Sequence, residues 1–213
     1  MDEDLLRFDK DRGFVFIDCE TLNLALNFCH NLPWQIGMIK VKGDRITDRK
    51  DFYLKWDTDL KISPEAARIT RYSPTKMEKN GLPPEDVFPT VKDWLDGADF
   101  IIGHNILGFD IYLINELYKK FGFAHHHLVD KIIDTNALAK GVKMSFPYSR
   151  KNNGFLEYQY KMLHTVKRGV KTNLTSLGKE FEIDHDYDNL HDALCDLELN
   201  LKIWNKLKWM IEI

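Results

Sequence analysis

The chain is 213 residues long, 44% hydrophobic and 30% charged, with a formal net charge of −3. That length suffices for one well-buried domain, and the charge balance lacks the overall basic character that would announce a nucleic-acid binder. No apolar run approaches the roughly 18 residues of a membrane span, and the acidic start, Met1-Asp2-Glu3-Asp4, has neither the basic region nor the apolar core of a secretory signal.

The first element is a strand. Phe14-Val15-Phe16-Ile17 is a run of apolar and aromatic residues of strand-forming type. Asp18 and Glu20 follow as the run ends, and on a strand residues i and i+2 share a face. Two carboxylates that close repel unless a cation sits between them, and hard oxygen ligands suit Mg²⁺ or Mn²⁺. Taken alone, an exposed turn holding two acids fits the pair as well.

A second strand is predicted over 35–41, a hairpin turn at Gly43-Asp44 and a third strand over 51–56, together an antiparallel meander. Ser63-Pro64-Glu65 reads as a helix start with Pro at the first helical position. Residues 86–95 carry apolar side chains at Val87, Val91, Trp94 and Leu95, a helical period closed by Gly97. Phe100-Ile101-Ile102-Gly103 is a short buried strand with His104-Asn105 at its end. A helix is predicted from Phe109 to about Lys120, a fifth strand over 132–135 and a helix over 136–140. Leu174, Leu177 and Phe181 mark another helix, and a long last one runs from His191 to about Met210. The fold class is therefore α/β, a mixed five-stranded sheet flanked by helices in a single domain over 1–213. Ligands of such sheets gather outside the carboxyl ends of strands, where Asp18, Glu20 and Asn105 fall.

The segment 140–171 differs in composition. It holds eight basic residues and one acid, Glu157, a local charge of +7 that leaves −10 for the rest of the chain. Phe146, Tyr148, Phe155, Tyr158 and Tyr160 are interleaved. Cations with aromatics suit a single-strand binding surface, because cations neutralise phosphates and rings stack on bases. A solvated insertion hairpin, its aromatics packed on the domain, fits equally.

Two further acids have informative settings. Asp110 stands near the start of a helix that otherwise shows an apolar face, although an acid in a first turn is also plain dipole chemistry. Asp196 falls within the stripe of Ala193, Leu194, Leu197, Leu201 and Trp204, where an unpaired charge is costly. His191, five residues earlier, is roughly 140° around the helix and can reach the same centre from the rim. A partly solvated Asp196 and a His191 without chemistry remain open on these grounds alone.

Asp18-X-Glu20, Asn105 with Asp110 five residues on, and His191 with Asp196 five residues on together resemble the three motifs of the DEDDh 3′→5′ exonucleases. These are the proofreading-subunit and ribonuclease T superfamily, with a ribonuclease H-like fold. The sister DEDDy group has Tyr four residues before its last Asp; here that residue is Asp192. Gln35-Ile36-Gly37, Pro64-Glu65-Ala66, Asp134-Thr135 with Ala137-Leu138-Ala139, and Asn173-Leu174 extend the likeness over nearly the whole chain. Leu22-Asn23 replaces a frequent Thr-Gly, and 140–171 is longer than the usual connection. No polymerase-tethering tail is expected after the last helix.

The resemblance implies a metal-dependent enzyme releasing nucleoside 5′-monophosphates from the 3′ end of a nucleic acid, DNA more than RNA. It implies two Mg²⁺ or Mn²⁺ ions about 3.5–4 Å apart, held by Asp18, Glu20, Asp110 and Asp196, with Asp18 bridging and His191 as general base. Thr21, Leu22, His104, Asn105 and Phe109 resemble substrate-contacting positions. An RNA-trimming exonuclease is the alternative substrate class, and a silent nucleic-acid-binding module on the same fold is the alternative without chemistry. A replication or repair partner is not identifiable from the residues.

Other conspicuous residues have plainer readings. His125-His126-His127 reads as a polar loop, and Trp204 and Trp209 as core or helix packing. Cys19 should point to the buried face opposite its neighbours. Three cysteines, Cys19, Cys29 and Cys195, without zinc-type spacing suit a reducing compartment. A soluble cytoplasmic protein is expected.

Overall fold

The computed structural model describes residues 5–26, 31–151 and 154–213. The acidic start (1–4), Cys29 and positions 152 and 153 of the basic segment lie outside the described residues. In chain order come β1 (Gly13–Thr21), β2 (Pro33–Lys42), β3 (Arg45–Leu54), α1 (Pro64–Ile69), α2 (Pro74–Asn80), β4 (Gly81–Leu82) and α3 (Pro84–Gly97). After them follow β5 (Phe100–Gly103), α4 (Asp110–Lys120), β6 (Ile132–Asp134), α5 (Thr135–Lys143), α6 (Phe155–His164), α7 (Leu174–Glu180) and α8 (Ala193–Leu207).

The strands form one sheet in the order β4-β3-β2-β1-β5-β6. The expected meander is there, with β2 antiparallel to both β1 and β3, and β5 and β6 continue the sheet in parallel with β1. The sheet has six strands where five were expected, because the two-residue β4 pairs in parallel with Tyr53 and Leu54 of β3. The third strand begins at Arg45 and not near 51, since Gly43 takes φ 58° in a tight hairpin. Its first half is charged and mostly exposed, so no apolar period betrays it.

Period-2 alternation of β1 divides the core. Val15, Ile17 and Cys19 pack on one side with residues of α3 and α4, among them Val91, Leu95, Ile114 and Leu117. Phe14 and Phe16 pack on the other with Leu138 of α5 and Leu197, Ile203 and Trp204 of α8. Asp18 and Glu20 therefore continue the row that faces α8. Cys19 is buried opposite them, as expected.

The last helix starts at Ala193, not at His191. Asp192 is its N-cap, accepting the Cys195 N–H at 3.4 Å, and His191 sits outside with φ 70°. The rotation of roughly 140° inferred from a continuous helix does not apply. Within the basic segment, α6 replaces any hairpin. Tyr148 packs edge-on against Phe155 and Tyr158, and the Tyr158 hydroxyl donates to the Phe146 carbonyl. Of the five aromatics, Phe146 is the exposed one, 44% accessible. Among the described residues no helix is long and apolar enough to cross a membrane.

Candidate active site

The site is built where β1 ends. In the β1–β2 register Asp18 lies opposite Gly37, and a Cβ on Gly37 would stand 2.9 Å from Ala193 Cβ. The missing side chain lets the first residue of α8 rest on β2 beside Asp18. Asp196 is then one turn into a helix already seated at the strand end. Carboxylate oxygens of Asp18, Glu20 and Asp196 all lie within 4.8 Å of one another.

Asp110 enters from the opposite side of the sheet. The β1–β5 ladder stops at Phe16 and Ile102, so the Cys19 N–H has no strand to donate to. Asp110 Oδ1 accepts it at 2.9 Å, a satisfied buried donor of the kind such interiors require. Asp110 is 3% exposed and is delivered by the turn after β5. There Asn105 takes φ 67°, and Asp134 accepts the N–H groups of Asn105 and Leu107, each at 3.1 Å.

Burial and mutual repulsion set the electrostatics. Asp18 is pushed well above the ordinary carboxylate range, by burial first and then by Asp110, Asp196 and Glu20. Glu20 is raised to about 9 by burial and then by Asp196 and Asp110. Asp110 rises to about 7 through burial, opposed by the Cys19 N–H. Asp196 rises to about 6 through burial, opposed by the His191 N–H. Among the described residues the chief charges acting on Asp18 and Glu20 are all acids. An all-oxygen cluster of this kind fits hard divalent cations: its donors are right, and its charge wants a counterion.

His191 is exposed on the loop before α8. Its N–H donates to Asp196 Oδ1 at 3.1 Å. That loop contains a 3-10 turn over Tyr187–Asn189, capped by the Asp186 side chain. The Arg71 guanidinium, from a residue with φ 52°, donates to Asn189 Oδ1 at 3.3 Å and to the Asp188 carbonyl. Arg71, His191 and Asp192 line a cavity of about 650 Å³ with Trp34 and Gln35.

The remaining sequence candidates spread out. Thr21 is buried and its hydroxyl donates to the Asn23 carbonyl at 2.5 Å. Leu22 packs with Leu32, Trp34, Tyr53 and Met77. His104 lies 3.0 Å through Nδ1 from Thr135 Oγ1, whose hydroxyl donates to Asn200 Oδ1 at 2.6 Å. Burial pushes His104 down to about 4, against its hydrogen bond to the Thr172 backbone. It is a neutral ring engaged on the β6 side. Phe109 is half-buried and lines a second cavity of about 600 Å³ with Leu24, Gly108 and Tyr112.

Sequence reading gave Asp134 a place in the family likeness but no role, and did not single out Gln159, Asn200 or Arg71. Asp134 caps α5 and fixes the Asn105 turn, and Gln159 Oε1 accepts the Asp134 N–H at 2.6 Å. The strand-to-helix position of Asp134 marked an N-cap. Nothing local marked the other three.

A family model described as "Exonuclease" (RNase_T) matches residues 15–204. No curated protein matches the chain by sequence. Among solved structures, E. coli exonuclease I in complex with a dT13 oligonucleotide has a TM-score of 0.71 at 18% identity, covering 93% of this chain and 41% of that one. The complex with a dA16 oligonucleotide gives 0.72 at 17%, covering 94% and 41%. The zinc-ion-bound form of the E. coli ExoI–ssDNA complex gives 0.72 at 17%, covering 93% and 41%. At these identities the likeness is one of fold, and the chain spans about two fifths of the exonuclease I chains.

Proposed function

The chain belongs to the RNase_T exonuclease family, and from that premise we propose that it removes nucleotides from the 3′ end of single-stranded DNA with the help of Mg²⁺ or Mn²⁺. The observation that carries the reading is the meeting of Asp18, Glu20 and Asp196 oxygens within 4.8 Å. The single-stranded oligonucleotides held by exonuclease I in the structures of similar fold support DNA as the substrate class.

Asp18, Glu20, Asp110 and Asp196 would hold the ions. Such a pair supplies Lewis-acid stabilisation of the attacking water and of the leaving oxygen. The rest falls to the chain. Water adds to the terminal phosphorus, the bond from phosphorus to the 3′-oxygen breaks, and a nucleoside 5′-monophosphate leaves. His191 takes the water proton as general base; its ring is exposed at the rim and its backbone is tied to Asp196. Asn105, held in a left-handed turn by Asp134, is the polar contact from the β5 side. Thr21 and Leu22 shape the floor after β1, and Phe109 offers an apolar edge for the terminal nucleotide. His104 supports the wall through Thr135, and burial disfavours its charged form. Contacts of this kind stop short of base edges, so the activity should tolerate sequence.

The test uses 5′-labelled and 3′-labelled oligomers, each as DNA and RNA, with and without Mg²⁺. The expected result is Mg²⁺-dependent release of mononucleotides from the 3′ end of DNA, abolished in Asp18→Asn. Release unchanged in Asp18→Asn would overturn the reading, and faster trimming of RNA would move the substrate class.

A further inference from the structure

Residues 158–179 contain no acid, yet carry Lys161, Lys167, Arg168, Lys171 and Lys179 in a chain whose net charge is negative. They cover most of α6, the connection to α7 and nearly all of α7. The lysines nearest this stretch on α5 are engaged: Lys140 Nζ donates to the Leu163 carbonyl at 2.9 Å, and Lys143 pairs with Glu180. Lys167, Arg168 and Lys171 are exposed, and their side chains make no ion pair among the described residues. Val166 beside them is 94% accessible. Three cations held out without counterions in an otherwise acidic protein call for an anion.

The loop is not a loose one at its far end. The Thr172 hydroxyl donates to Asn136 Oδ1 at 2.6 Å and Lys143 Nζ donates to the Lys171 carbonyl at 2.8 Å. The Thr172 backbone also meets the His104 ring. These staples fix its place relative to the acids. His104 is the first residue after β5, the strand beside β1, and the hydroxyl of its partner Thr135 donates to Asn200 of α8, the helix that carries Asp196. Neighbouring strands are about 4.8 Å apart, which puts the anchor of the loop two spacings, ~10 Å, from the strand of Asp18. Phe16, Ile102 and Ile133 all pack on the α8 side, the side to which Asp18 and Glu20 belong by the alternation of β1. The loop that carries the cations is thus anchored at the carboxyl ends of the parallel strands, the same end of the sheet as the acids.

We infer that Lys167, Arg168 and Lys171 form a phosphate-binding track for the single-stranded nucleic acid whose 3′ end enters the acidic site. The inference rests on the function proposed above and adds the course of the strand. The acids repel a polyanion until cations hold it, and three unpaired cations beside them supply that hold while leaving the bases unread. The aromatic half of the sequence expectation is not needed, since Tyr148, Phe155 and Tyr158 pack on one another.

The test is the triple variant Lys167→Ala, Arg168→Ala, Lys171→Ala. Its affinity for a fluorescent dT oligomer, measured by anisotropy without divalent metal across a salt series, should fall about tenfold or more at low salt. The slope of log K against log salt should shrink by about 2, the share of three phosphate contacts on a single strand. Hydrolysis of the p-nitrophenyl ester of thymidine 5′-monophosphate, which has one phosphate and no upstream strand, should be unchanged. Unaltered oligomer affinity and slope would overturn the track. Equal loss on the small ester would also overturn it, showing that the loop acts through the His104 wall. If the wild type hydrolyses neither substrate, the function above fails, while the binding series still decides the track.

Discussion

The end of β1 and the loop before α8 meet at Asp196, yet they are held by different means. Asp18 and Glu20 are aimed by a strand whose ladder to β2 runs past both of them, and Asp110 is locked on the Cys19 N–H. His191 is exposed, takes a left-handed backbone that side chains with a Cβ disfavour, and depends on one bond to Asp196 and on Arg71 reaching from after α1. The first region stores repulsion that packing overcomes. The second stores little and can adjust to what arrives. A rigid charge cluster with an adjustable rim separates holding ions from moving a proton, and substitutions should separate these two roles.

The largest effect is expected from Asp18→Asn. Activity should drop by a factor on the order of 10³ or more with loss of the ion site. The metal-free protein should melt higher, because burial and three acids oppose the Asp18 charge; each kcal/mol regained is worth about 2–4 °C at this size. Calorimetry in chelator beside a nuclease assay reads both.

His191→Ala comes next. Loss of a general base should lower kcat about 10²–10⁴-fold, with KM and the metal-free melting temperature little changed because the ring is on the surface. A KM rise without a kcat loss would remove the ring from the chemistry. Gly37→Ala probes the seat of α8. Its Cβ would stand 2.9 Å from Ala193 Cβ and 3.0 Å from the Ala193 carbonyl carbon, so stability should fall by about 1–3 kcal/mol and Mg²⁺ affinity with it, read by urea melts and metal titration. Arg71→Ala should cost the least, about threefold in kcat. In a His191→Ala background it should cost nothing, since residues acting as one unit are not additive.

How much of this could be read in the sequence follows the same division. Strand alternation marked Asp18 and Glu20, and an apolar stripe marked Asp196, but these local patterns alone left plainer readings open; Asp110 and the grouping of the four came from the resemblance to the exonuclease motifs. The start of α8 was misplaced because the apolar period runs back to Leu190, while the Asp192 cap that ends it is a single residue. The first half of β3 and the two-residue β4 carry no apolar period. α6 was hidden by basic and aromatic residues that read equally as a hairpin. The hold of Arg71 on Asp188, of Asn200 on Thr135 and of Gln159 on Asp134 joins segments far apart in the chain, and no spacing announces it.

The central claim is that the acids at the end of β1 are a site for divalent ions, and its most direct test is the melting temperature with and without Mg²⁺ as a function of pH. The folded-state values of Glu20, Asp110 and Asp196, about 9, 7 and 6, lie above the unfolded ones near 4. Protonated carboxyls therefore favour the fold: the contribution of these three groups to metal-free stability should be full below about pH 4 and lost as pH rises through 6, 7 and 9. Mg²⁺ binds the ionised form, so its stabilising shift should grow from pH 6 to pH 9 in the wild type and vanish in Asp18→Asn. A shift that is flat with pH, or that survives in Asp18→Asn, would contradict the account.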